Sequence, residues 1–219
     1  MTAVPDIPFV IKICGITNEE DARVAIEAGA NALGFNFYAG SPRYITLFRA
    51  HEIVTAVQKP FLKVGVFVNA SEAQLAKAVR EVPLDILQLH GDNCPAQFST
   101  SYRMWRSITV DGTDCANRDL TNLSAESYRA EAYIFDTSSP HFGGSGKCFD
   151  WSLAAGFVSR KIIAGGLDAT NVADAIRATK PWGVDACSRL ESSPGKKDSR
   201  RVRDFVQAAL AARPREIAL

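Results

Sequence analysis

The chain has 219 residues, 47% of them hydrophobic, and its 25 basic against 24 acidic side chains leave a net charge of +1. That is ample apolar material for one large domain of the barrel or open-sheet type, and no whole-chain field favours nucleic acid or an anionic membrane. No stretch approaches the roughly 20 apolar residues of a membrane span, and "MTAVPDIPFVIKIC" is not a basic start followed by a long apolar segment, so a soluble cytoplasmic protein is expected.

In chain order, short and almost unbroken apolar runs alternate with helical patterns, as parallel strands covered on both faces require. The first run is "FVIKIC". The stretch "TNEEDARVAIEAGA" follows, with Asn18 as N-cap, Ala22, Ala25 and Ile26 on one face and Gly29 as the stop. The rhythm repeats as strand "ALGFNF" with helix "TLFRAHEIVTAVQ", strand "FLKVGVFV" with helix "SEAQLAKAVREV", and strand "LDILQLH" with a short helix near "CPAQFST". The strands "YRMWRSITV", "AYIFDT", "KIIAGG" and "WGVDAC" come next, and the last two precede helices "DATNVADAIRAT" and "DSRRVRDFVQAALAA". The polar stretch "DGTDCANRDLTNLSAESYRA" marks its helix poorly. Eight βα units over this length predict a closed (β/α)8 TIM barrel, an α/β fold, as a single domain over residues 1–219.

In such a barrel the chemistry lies at the C-terminal ends of the strands. Cys14 ends the first strand, with Lys12 on the same interior face one layer below. An ammonium there favours a thiolate, which could act as base or nucleophile, although cysteine is also a common buried filler. The other four cysteines, Cys94, Cys115, Cys148 and Cys187, are scattered without a C-x-x-C pair, which argues against a zinc knuckle or a disulfide framework. Asp136 ends the sixth strand, before the glycine-rich loop "SSPHFGGSGK"; it is either functional or part of a cap or ion pair. Gly165 and Gly166 in "IIAGGLD", and the segment "GVDACSRLESSPGKKD", follow strands seven and eight, where backbone N–H groups commonly bind phosphate. Asp185 would look into the same mouth. Arg43 in "SPRYI" could clamp a carboxylate, and His90 in "LQLHG" is a ligand or a hydrogen-bonded core histidine. With His51 in a helix and His141 in a loop, no metal-ligand spacing emerges.

Over nearly the whole chain, "KICGIT", "ALGFNFYAGSPRYI", "VGVFVN", "LQLHG", "IFDT…FGGSGKCFDW", "IIAGGL" and "GVDACSRLESSPGKKD" occur in an order that resembles the phosphoribosylanthranilate isomerase family of tryptophan biosynthesis. The resemblance implies a (β/α)8 barrel, monomeric or homodimeric, that rearranges N-(5-phosphoribosyl)anthranilate without cofactor or metal. It assigns Cys14 as general base and Asp136 as general acid, with Lys12 helping to lower the thiol pKa. Arg43 would hold the anthranilate carboxylate, Gly165, Gly166 and Ser188 the phosphate, and Asp185 would face the substrate. Arg189 stands where many family members have glycine. Its guanidinium either replaces an N–H contact to phosphate, or points to solvent or pairs with Glu191. Two other readings stay open. The histidine-biosynthesis isomerase performs the same rearrangement but has an aspartate where Cys14 stands; a catalytically silent barrel would only bind a phosphorylated ligand.

Overall fold

The computed structural model describes residues 7–91, 102–110, 130–137, 154, 157 and 159–214. The helix expected near "CPAQFST", most of the polar stretch after the fifth strand and the loop "SSPHFGGSGK" lie outside the described residues, as do Cys94, Cys115, His141 and Cys148. Eight strands form a closed parallel barrel in sequence order: β1 Val10–Cys14, β2 Ala32–Asn36, β3 Leu62–Val68, β4 Ile86–His90, β5 Arg103–Val110, β6 Ala132–Thr137, β7 Lys161–Ile163 and β8 Gly183–Ala186. The β1/β8 seam closes it, with Lys12 opposite Asp185 and Ile13 opposite Ala186.

Five helices are described: α1 Glu19–Ala28, α2 Leu47–Ala56, α3 Glu72–Glu81, α4 Val172–Thr179 and α5 Ser199–Ala212. Their ends follow side-chain chemistry. Asn18 caps α1 by accepting from the Asp21 N–H, and Gly29 ends it in the left-handed conformation at φ 109°. Ser71 and Gln74 form a reciprocal capping box on α3. The helix expected from Asp168 starts four residues later, because Asp168 and Asn171 exchange side-chain bonds with the backbone and hold a turn instead. β7 is likewise shorter than "KIIAGG" suggests, since Gly165 and Gly166 turn away at φ 80° and 62°.

Alternation along the strands gives the barrel two environments. Outward side chains such as Ile11, Ile13, Leu33 and Phe35 pack with Ala22, Ala25, Val202 and Phe205 of the helices. Inward ones form an apolar plug at the lower end, where Val10, Val64, Ile86, Ile134 and Ile162 surround Trp105. One step up, the inward residues include Lys12, Gln88, Ser107 and Asp185, all four buried and polar. This polar layer forms the floor of the site.

After β8 comes a 3-10 turn, Ser188–Leu190, and then a small hairpin of β9 Glu191–Ser193 and β10 Lys196–Lys197, which the sequence patterns do not announce. The hairpin is tied to the barrel by α1, because the Asp21 carboxylate accepts from the Lys197 N–H at 2.8 Å.

Candidate active site

The floor is an ion pair. Lys12 Nζ donates to Asp185 Oδ2 at 2.8 Å, with the lysine completely buried. Burial works against the ammonium, but Asp185 and then Cys14 outweigh it and hold Lys12 above its ordinary range. Asp185 feels burial most and is pushed up to about 7 against the pull of Lys12. Among the described residues its other oxygen, Oδ1, is buried without a hydrogen-bond partner, which leaves an acceptor for a ligand hydroxyl.

Above this layer stand two sulfurs. Extending the β1/β8 register by one residue places Cys187 opposite Cys14, on the face that Lys12 and Asp185 share. The neighbouring Cys187 thiol, then burial, holds Cys14 well above the usual thiol range despite Lys12. Cys187 is brought down to about 7, first by its neighbour Cys14, with Lys197 and Arg43 reinforcing it against burial and Glu191. Glycines make the room: a Cβ on Gly34 would sit 2.8 Å from the Cys14 sulfur, and one on Gly15 would sit 3.0 Å from the Cys187 sulfur. Lys12 therefore favours the Cys14 thiolate as the sequence suggests, but it does not decide the outcome.

Asp136, at the end of β6, lines the same cavity. Burial, then the Asp185 charge, pushes its carboxyl up to about 7, although hydrogen bonds from Thr137 favour the carboxylate. Among the described residues Asp185 has an ammonium at hydrogen-bond distance and Asp136 has none, which favours the proton on Asp136. His90 plays a different part. Its Nε2 lies 3.0 Å from both the Gln88 amide nitrogen and the Ser107 hydroxyl. Burial, with Lys12 and Arg106, drops its pKa to about 3. It is a neutral wall of the cavity, with Nε2 accepting.

At the rim, Arg43 makes a side-on bidentate pair with Glu191, Nε to Oε1 at 2.8 Å and Nη2 to Oε2 at 2.7 Å. Lys197 Nζ also donates to Glu191 Oε1 at 2.9 Å and lies 3.7 Å from the Cys187 sulfur. Glu191 is thus occupied, and Arg189 pairs instead with Asp168, Nη1 to Oδ2 at 2.5 Å. The Arg189–Glu191 pairing considered from sequence does not form. Arg189 has no positive φ, so this loop keeps ordinary backbone angles with arginine in the glycine position. Gly165, Gly166, Ser188 and Arg189 line one side of the cavity, and Arg43 and Cys14 also face into it. All ten residues singled out from sequence are therefore in the cavity wall or, for Lys12, just beneath it. Cys187, Glu191 and Lys197 complete the arrangement, and alternation two residues beyond Asp185 is the signal that reaches the first of them. Among the described residues no group of His, Cys, Asp or Glu could hold a metal ion.

Residues 11–208 match the family model for N-(5'-phosphoribosyl)anthranilate (PRA) isomerase. An N-(5'-phosphoribosyl)anthranilate isomerase of Solibacter usitatus is 45% identical over 205 residues, covering 93% of this chain and 98% of the relative. The phosphoribosyl anthranilate isomerase of Thermotoga maritima superposes with a TM-score of 0.81 at 34% identity, over 93% of this chain and 99% of that one. A phosphoribosyl anthranilate isomerase solved with reduced 1-(o-carboxyphenylamino)-1-deoxyribulose 5-phosphate superposes with a TM-score of 0.79 at 31% identity, over the same shares.

Proposed function

The chain belongs to the N-(5'-phosphoribosyl)anthranilate isomerase family, and on that premise we propose that Cys14 is its general base and Asp136 its general acid. The reaction is the tryptophan-biosynthetic isomerisation of N-(5-phosphoribosyl)anthranilate to 1-(2-carboxyphenylamino)-1-deoxyribulose 5-phosphate. One observation carries the assignment: the strand-end carboxyl of Asp136 and the strand-end thiol of Cys14 line the same cavity. Asp136 donates its proton to the furanose oxygen, and the C1–O bond breaks to leave an iminium. Cys14 takes the C2 proton, and the C–H electron pair forms the C1–C2 double bond of the enolamine as the iminium electrons return to nitrogen. Ketone formation then puts a proton on C1 and removes one from the 2-hydroxyl. That restores both groups, since an isomerisation is proton-neutral overall.

The remaining residues bind. Glu191 occupies the Nε edge of Arg43, so the guanidinium is held rigid with its Nη1 edge directed to the anthranilate carboxylate. Asp185 Oδ1 accepts from a sugar hydroxyl, and Gly165, Gly166 and Ser188 cradle the phosphate. Mixing the protein with freshly made phosphoribosylanthranilate should extinguish the anthranilate fluorescence as product forms. Arg43→Ala should weaken binding of the reduced product by roughly one to two decades, the value of a charge-assisted pair. Absence of turnover would favour the silent-barrel reading, and an unchanged dissociation constant would place Arg43 outside the carboxylate subsite.

Arg189 is a cation at the phosphate end, beside Gly165, Gly166 and Ser188. Its pair with Asp168 is half-exposed, and such pairs contribute only ~0–1 kcal/mol, so exchanging Asp168 for a phosphate oxygen costs little. Arg189→Ala should weaken a phosphorylated product analogue several-fold and leave the dephosphorylated analogue unaffected. The difference should grow at low salt, where partly exposed charges are least screened. If both ligands bind the variant as they bind wild type, the arginine serves only its loop.

A further inference from the structure

A base needs a thiolate, yet burial and a neighbouring thiol oppose ionisation of Cys14. The geometry shows where the charge can go. Cys187 is the cross-strand neighbour of Cys14 when the β1/β8 register is extended by one residue. On its far side the sulfur meets Lys197 Nζ at 3.7 Å, and that lysine is wholly buried, fixed by Glu191 and by the Cys187 carbonyl. Arg43 adds a second positive charge, while Glu191, 4.0 Å away, is already neutralised by both cations. On the near side Cys14 meets Lys12, itself paired with Asp185. A single negative charge on the pair of sulfurs is therefore flanked by cations from β1, from β10 and from the loop after β2, whereas two charges would repel at contact distance.

We propose that Cys187 is a positioning residue for the base: with Lys197 and Arg43 behind it, it shares one proton with Cys14, so the unit that works is a two-sulfur monoanion rather than an isolated thiolate. The inference rests on Cys14 being the base. Before reaction the shared proton moves onto Cys187 and leaves Cys14 as the thiolate facing C2. Cys14 then takes the C2 proton, leaving two thiols. Protonation of C1 during ketone formation returns one proton to product and regenerates the monoanion. No oxidant or other co-reactant is required.

The test is a pH profile. With the thiol pair and Asp136 both titrating at about 7, kcat/KM of the wild type is a narrow bell centred near neutrality. In Cys187→Ala the remaining thiol should move toward the ordinary ~8.5 or above. The two groups are then largely in reverse protonation states, so the top of the bell should move up by roughly three quarters of a unit and fall about tenfold. Cys187→Ser, which can donate to a Cys14 thiolate but cannot carry the charge, should lie between, and it serves equally if the alanine variant folds poorly. Thiolate absorbance gives a readout independent of Asp136. Measured against Cys14→Ala/Cys187→Ala, which cancels the other three cysteines, wild type should ionise one thiol near neutrality. Each single variant should lose that step, because neither sulfur reaches it alone. A bell and a thiolate titration unchanged in both Cys187 variants would overturn the shared monoanion while Cys14 stands, provided Cys14→Ala is inactive. Full turnover by Cys14→Ala would instead remove the base assignment and this inference with it.

Discussion

Asp136→Asn and Cys14→Ala are each expected to lower kcat by roughly 10² to 10⁴, the usual contribution of a placed general acid or base. The two should differ in what they do to stability. The Asp136 carboxyl sits at about 7 in the fold against an ordinary 3.8, chiefly because burial disfavours its charged form. A raised carboxyl contributes stability that is fully present below pH 3.8 and is lost as pH rises through about 7. Asparagine is neutral throughout, so Asp136→Asn should match wild type in Tm near pH 4 and exceed it near pH 8, an inactive enzyme more resistant to alkaline unfolding. Cys14→Ala should show no such gain at alkaline pH, because the Asp136 carboxyl responsible for it is still present. The checks are single-turnover kinetics and thermal melts at the two pH values. Near-normal kcat in Cys14→Ala would remove that residue from the chemistry; an Asp136→Asn variant less stable at pH 8 than at pH 4, relative to wild type, would mean that burial does not control its carboxyl.

The parts of this site that are legible in the sequence are those that follow from strand periodicity. Once "FVIKIC", "AYIFDT" and "WGVDAC" are read as barrel strands, alternation and strand ends place Lys12, Cys14, Asp136 and Asp185 at the mouth, and the structure puts all four there. The same alternation reaches Cys187, the last residue of "WGVDAC", but with its β1 neighbour unknown it looks like one more scattered thiol. Partner choice is less accessible still. Arg43 and Glu191 are 148 positions apart, and Arg189 and Asp168 are 21 apart; which carboxylate each arginine takes depends on how closure of β8 against β1 seats the 3-10 turn and hairpin. The hairpin itself has strands of three and two residues, too short to show a period. Sign and size of a pKa shift part company for the same reason. Lys12 beside Cys14 can be inferred from spacing, whereas the opposing effect of Cys187 exists only when two distant strands become neighbours.

Lys12→Met tests whether the buried pair is structure, chemistry or both. The substitution keeps the aliphatic bulk but leaves Asp185 buried with no cation, and stranding one partner of a buried pair typically costs about 3–5 kcal/mol. For a chain of this size that is a fall in Tm on the order of 10 °C. Asp185 has an escape that most stranded carboxylates lack: it already titrates at about 7, and losing Lys12 raises it further, so at pH 6 it can take up a proton. The sign follows: the destabilisation relative to wild type should be large at pH 8 and much smaller at pH 6. Activity should fall at both, since the sulfurs lose the cation on the Cys14 side and the acid limb of kcat/KM moves upward. The double variant Lys12→Met/Asp185→Asn removes the stranded charge and should recover most of the lost Tm. Turnover should stay low, because neither the cation beside Cys14 nor the Asp185 carboxylate is restored. Recovery of activity together with stability in the double variant would show that Lys12 and Asp185 hold the barrel mouth together and take no part in setting the charge on the sulfurs above them.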